Sequence, residues 1–156
     1  MRYFEKVKLE EFKSKRPEEE YQNIVIPTRS TTSSAGYDFA IPYDEVIAAK
    51  SSKAIFSGIK ACCNSDEFLM IVVRSSVGIK RNLRLKNQVG IIDSDYYGNE
   101  SNDGHIIITL ENTSDKDVIL AKGERIAQGI FLKYLTVSGE SDIKNSRKGG
   151  IGSTNN

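Results

Sequence analysis

An acid at Asp93, a second at Asp95, an aromatic at Tyr96 and a turn glycine at Gly98 close the stretch Asn87-Gln-Val-Gly-Ile-Ile-Asp-Ser-Asp-Tyr-Tyr-Gly98. The run is largely apolar up to Asp93. A carboxylate where a hydrophobic strand ends is partly desolvated yet reachable, which suits a general base acting on water. A strand ending in an acidic turn is also a common structural device, so the stretch alone leaves both readings open. A second run with chemical potential is Arg147-Lys-Gly-Gly-Ile-Gly-Ser-Thr154. Its glycines free the backbone to wrap a ligand, and an arginine with two hydroxyls suits phosphate oxygens. The alternative is a flexible end with no function.

The elements that must position these residues read as short strands. Asn23–Ile26, Tyr37–Ile41, Glu45–Ala49, Ala54–Cys62, Phe68–Val73, His105–Leu110 and Arg125–Phe131 are rich in β-branched or aromatic residues. Each is bounded by Gly, Pro, Asn, Asp or Ser. No long helical period interrupts them, which predicts an all-β sandwich, barrel or jelly roll. Residues 1–23 are charge-rich with a weak helical stripe of Phe4, Val7 and Phe12, predicting a short helix or arm packed outside a β core of residues 24–135. Residues 136–156 gain Gly, Ser, Lys and Asn, the composition of a mobile tail.

Composition narrows the function classes. At 156 residues the chain is expected to form one domain with enough material for a core. A net charge of +1 gives no basic field pointing to nucleic acid or a membrane surface. No apolar run approaches the roughly 20 residues of a membrane span, and the charged start lacks a signal-peptide core, so a cytoplasmic location is expected. Cys62 and Cys63 are adjacent and would point to opposite faces of a strand, a poor disulfide or metal pair. No Cys/His cluster suggests structural zinc.

Five motifs, in order, resemble those of the trimeric, all-β dUTP diphosphatase (dUTPase) family. They are Ala35-Gly-Tyr-Asp-Phe-Ala40, Val73-Arg-Ser-Ser76, the Asn87–Gly98 stretch, Lys122-Gly-Glu-Arg-Ile-Ala-Gln128 and Arg147–Thr154. The resemblance covers nearly everything from Ile24 to Thr154. It implies a distorted jelly roll of the β-clip type, assembled as a homotrimer whose active sites draw residues from all three subunits. It implies hydrolysis of dUTP to dUMP and pyrophosphate, which keeps uracil out of DNA and supplies dUMP for thymidylate synthesis.

The same resemblance assigns roles. Asn87 and backbone groups at Gly90 and Ile91 would read the uracil edge, because a cytosine would set donor against donor and leave buried groups unpaired. Tyr96 would lie under the deoxyribose and leave no room for a 2′-hydroxyl. Asp93 would be the general base for a water attacking the α-phosphorus, and Gln128 would help hold that water. Arg74, Ser75 and Ser76 would hold phosphate oxygens. Asp38 would meet Mg²⁺ through water while the ion binds mainly to the triphosphate, or would only brace a neighbouring strand. Arg147, Gly150, Ile151, Ser153 and Thr154 would close over the nucleotide as a lid.

Three features depart from the family pattern. Ile151 stands where many members have a stacking Phe. The insertion Asn99–Gly104 places His105, the single histidine, beside the third motif in sequence. Either His105 helps replace the missing aromatic, or it is a solvated loop residue. Gly129 stands where a larger apolar residue is usual, which predicts a bulge or a close backbone approach. Two rival readings are a dCTP deaminase of the same fold and a nucleotide- or protein-binding module without turnover. For the deaminase, the place of the catalytic glutamate falls near Thr109, which is not an acid, and Glu111 stands two residues further along. A regulatory protein partner is compatible with the sequence and unreadable from it.

Overall fold

Alternating burial along the strands builds the molecule. The computed structural model describes residues 1–140 and Gly149. In chain order the strands are β1 (Tyr3–Lys6), β2 (Thr28–Arg29), β3 (Tyr37–Ala40), β4 (Glu45–Ile47), β5 (Ser52–Phe56), β6 (Ile59–Cys62), β7 (Glu67–Val73), β8 (Leu83–Leu85), β9 (Gly90–Asp93), β10 (Ile107–Asn112), β11 (Val118–Leu120) and β12 (Arg125–Lys133). Two short helices, α1 (Leu9–Lys13) and α2 (Ser75–Arg81), and 3₁₀ turns at Glu18–Asn23 and Ser94–Tyr96 complete the described elements. The fold is all-β, as the strand spacing predicts, and of the jelly-roll type that the resemblance implies.

The strands form four antiparallel sheets: β1-β6, β5-β10-β8, β11-β4 and β2-β3-β12-β7-β9. Along β10, Ile108 and Leu110 turn inward with Asn112, while Ile107, Thr109 and Glu111 are half-buried. Strand β12 breaks that alternation: the register with β3 shifts between Arg125 and Ala127, so Ile126 and Ala127 are both buried. Such a bulge re-aims the residues that follow it, and here it leaves Gln128 opposite Asp38. Leu69, Ile71, Phe39, Ile55 and Leu110 fill the core between the sheets.

The N-terminal segment is part of that core. Strand β1 pairs with β6, and Val7 and Phe12 are fully buried. This corrects the expected arm outside the core: of the apolar stripe, Phe4 lies on β1, Val7 in the link that follows and Phe12 on α1. Asn23–Ile26 is not a strand; Asn23 ends a 3₁₀ turn, and only Ile24 of the apolar residues that follow is buried. Ala54–Cys62 splits into β5 and β6 at Gly58, whose φ of +72° turns the chain. Cys62 and Cys63 are both free and half-buried. Among the described residues no helix is long and apolar enough to cross a membrane.

Candidate active site

The first, second and fourth motifs meet at one end of the five-stranded sheet. Asp38 sits on β3 opposite Gln128 of β12, and Gln128 in turn faces Val72 of β7. Arg74 follows directly, where β7 ends and α2 begins. The Asp38 side chain is 9% exposed, and cations hold both its oxygens. Oδ1 lies 3.0 Å from Arg74 Nε, while Oδ2 accepts from Arg125 Nη1 at 3.0 Å and from Ser30 Oγ at 2.7 Å. A nearly buried carboxylate needs such charge-assisted partners. Asp38 therefore fixes the two guanidinium groups relative to each other. Ser75 and Ser76 stand exposed in the first turn of α2, beside Arg74.

Gln128 is placed by a glycine. A Cβ added at Gly36 would stand 2.2 Å from Gln128 Oε1, so only a residue without a side chain leaves the carboxamide its place. Gly129 next to it serves packing: an added Cβ would lie 2.9 Å from both Leu69 Cδ1 and Phe39 Cε2. That is the expected close approach; the bulge of this strand lies instead between Arg125 and Ala127.

The third motif lies at the other end of β7. Asp93 on β9 pairs with Phe68, and Phe68 and Arg74 are six positions apart, about 20 Å along a strand. One chain thus keeps the carboxylate away from the arginine and carboxamide assigned to the same reaction. Asp93 and Ile91 are exposed, and Gly90 lies against Ile71. Asn87 sits exposed in a tight turn, its carbonyl accepting from Val89 N–H at 2.7 Å, with Gln88 in the left-handed region at φ 66°. This turn does not join a paired hairpin: β8 belongs to the sheet of β10, and β9 pairs with β7. Tyr96 is buried in the 3₁₀ turn, its hydroxyl donating to the His105 carbonyl at 3.0 Å.

His105 is not the solvated loop residue. It is fully buried, packed near Phe12 and Phe56. Its Nε2 accepts the Gly58 N–H at 2.9 Å, so Nδ1 carries the proton and donates to Glu11 Oε1 at 3.1 Å. Burial lowers its pKa, against the opposing pull of Glu11. The lid residues Arg147, Gly150, Ile151, Ser153 and Thr154 lie outside the described residues.

Sequence reasoning gave no role to Ser30, Arg125, Lys8, Glu11 or Asp103. Arg125 stood inside the fourth motif, and its charge three residues before Gln128 was the available signal. The others are long-range contacts with no local sequence pattern. Among the described residues, no group of three or more His, Cys, Asp and Glu could hold a metal by itself. A lone carboxylate already bonded by two arginines fits a magnesium ion only through water, with most of the ion's ligands coming from elsewhere. Glu111 is tied to Arg84, Nε to Oε2 at 2.6 Å, on the paired strands β10 and β8. It is committed to an ion pair and unsuited to the deaminase role.

The dUTPase family profile matches residues 22–155. The deoxyuridine 5′-triphosphate nucleotidohydrolase of Lactococcus lactis is 43% identical over 137 residues, covering 86% of this chain and 91% of that protein. The enzyme of the same name from Buchnera aphidicola is 33% identical, covering 81% and 84%. The crystal structure of the Streptococcus mutans dUTPase superposes with a TM-score of 0.75 at 35% identity, over 88% of this chain and 99% of that one. A Staphylococcus bacteriophage 80alpha dUTPase solved with dUpNHpp shares the fold, with a TM-score of 0.70 at 17% identity over 93% and 89%. With its five motifs in order and its all-β frame, the chain belongs to the dUTPase family.

Proposed function

We propose that the chain hydrolyses dUTP to dUMP and pyrophosphate in the cytoplasm, at sites shared between the subunits of a homotrimer. The observation that carries the reading is the geometry of one sheet. Asp38, Arg74, Arg125 and Gln128, drawn from three motifs far apart in sequence, gather at one end. Asp93 lies at the other end. A general base must come within about 3 Å of the proton it takes. Asp93 can serve the Gln128 of a neighbouring subunit where it cannot serve its own, and a cyclic assembly supplies that neighbour for every site.

In this mechanism Asp93 takes a proton from water, and Gln128 of the adjoining subunit holds that water in line with the α-phosphorus. A new P–O bond forms to the water oxygen. The bond from the α-phosphorus to the bridging oxygen breaks, and pyrophosphate leaves. Arg74, fixed through Nε by Asp38, still offers other donors of its guanidinium to phosphate oxygens. Ser75 and Ser76 add hydroxyls. Asp38 would meet magnesium through water, and the ion would supply charge neutralisation when bound with the nucleotide. Asn87, Gly90 and Ile91 read the uracil, and Tyr96 underlies the deoxyribose. Arg147, Gly150, Ile151, Ser153 and Thr154 close over the nucleotide, Ile151 covering the base without stacking. Asp93→Asn tests the assignment. Loss of the base is expected to lower kcat by about 10²–10⁴-fold with nucleotide still bound. Undiminished turnover would remove Asp93 from the mechanism.

A further inference from the structure

Tyr96 is gripped by the loop that follows it. Its hydroxyl accepts from Asn102 Nδ2 at 2.8 Å while donating to the His105 carbonyl at 3.0 Å. Its own carbonyl accepts from Asn99 Nδ2 at 2.8 Å. Gly104, at φ +83°, lies against this turn: an added Cβ would stand 2.8 Å from the Tyr96 carbonyl oxygen. Sequence, backbone and side chains of the loop thus converge on one aromatic residue.

The loop is tied down from the N-terminal segment. Asp103 is 9% exposed and held at φ 55°. It accepts from the buried Lys60 Nζ at 3.1 Å and from the Lys8 backbone N–H at 2.8 Å. His105 is fully buried, its ring spanning the Gly58 N–H and Glu11. A left-handed aspartate and a buried ion pair are costly features. A loop that only joined two strands would require neither. Lys8 and Glu11 reach the loop from more than 90 positions away in sequence.

We infer that Glu11 and Asp103 are positioning residues for Tyr96, acting through residues 99–105 to fix the ring that excludes ribose. The inference rests on the reading of Tyr96 under the deoxyribose. The physical reason is the small size of the feature being refused. A 2′-hydroxyl adds one oxygen, and at an active site a misplacement of about 1 Å can change rates about 100-fold. A ring that could drift by that amount would admit the ribonucleotide.

The test compares kcat/KM for dUTP and UTP, with Tm measured for every variant. Glu11→Ala removes the acceptor of His105 Nδ1–H, and Glu11→Gln keeps one. Asp103→Asn weakens the hold of Lys60. We expect the preference for dUTP over UTP to fall about five- to tenfold in Glu11→Ala and Asp103→Asn and to return in Glu11→Gln. In a Tyr96→Ala background, Glu11→Ala should change the preference no further. A lower Tm with an unchanged preference in both Glu11→Ala and Asp103→Asn, beside a reduced preference in Tyr96→Ala, overturns the inference and leaves the sugar reading standing. An unchanged preference in Tyr96→Ala overturns the sugar reading and the inference with it.

Discussion

Two inactive chains should rescue each other. Gln128 faces Val72 and Asp93 faces Phe68, on strands that flank β7 on opposite sides. Two strand spacings of about 4.8 Å and four residues of about 3.3 Å separate them by about 16 Å within one chain. Side-chain reach cannot bring that to the roughly 3 Å of proton transfer. Asp93→Asn leaves a chain with an intact Arg74 end, and Arg74→Ala leaves one with an intact Asp93 end. Unfolded, mixed one to one and refolded together, each site draws its Arg74 end and its Asp93 from different chains. Either half is intact about half the time, so about one quarter of the sites carry both. Pyrophosphate release from dUTP should therefore recover to about one quarter of the wild-type rate, from two parents each reduced about 10²-fold or more. Native mass spectrometry establishes that mixed oligomers formed. Mixed oligomers with no more activity than their parents would refute the shared site, because a site built within one chain gains nothing from exchange.

Three further outcomes follow from named contacts. Gly36→Ala would push its methyl into Gln128 Oε1 and should lower kcat about 10–100-fold while the fold persists, checked by steady-state kinetics beside circular dichroism. Phe12→Ala empties a fully buried position and should cost about 3–5 kcal/mol in urea unfolding; a loss below about 1 kcal/mol would return the N-terminal segment to the outside of the core. Arg2 holds the carboxyl of the buried Glu67 well below its usual 4.5, at about 2. A depressed carboxylate stabilises the fold above its unfolded pKa and loses that contribution as pH falls through the folded one. The Tm gap between wild type and Arg2→Met should therefore be open at neutral pH and close between about pH 4.5 and 2.

The fold was legible where local pattern and burial agree. Phe68–Val73 and Arg125–Phe131 read as strands because β-branched and aromatic residues crowd them, and both lie in the sheet that carries Gln128 and Arg74. Helix α2 was not legible, since Ser75, Ser76 and Gly78 are weak helix formers and seven residues show hardly two periods. The N-terminal segment misled because its apolar residues serve three short elements, and only tertiary packing tells which face each presents. At the site, residue type and position at a strand end pointed to Asp93, and the family resemblance supplied Asp38, Arg74 and Gln128. Their separation into two ends of one sheet was invisible, because strand order is set by long-range pairing. His105 shows the same limit. Its neighbours in sequence are loop residues, but its neighbours in space are Glu11, Phe12, Phe56 and Gly58.

Pyrophosphate release in the presence of magnesium reads the proposed reaction itself. dUTP is compared with dCTP, dTTP and UTP, with ammonia read in parallel. Pyrophosphate is expected from dUTP alone, with no ammonia from any nucleotide. Ammonia from dCTP, or no turnover of any of the four, would contradict it.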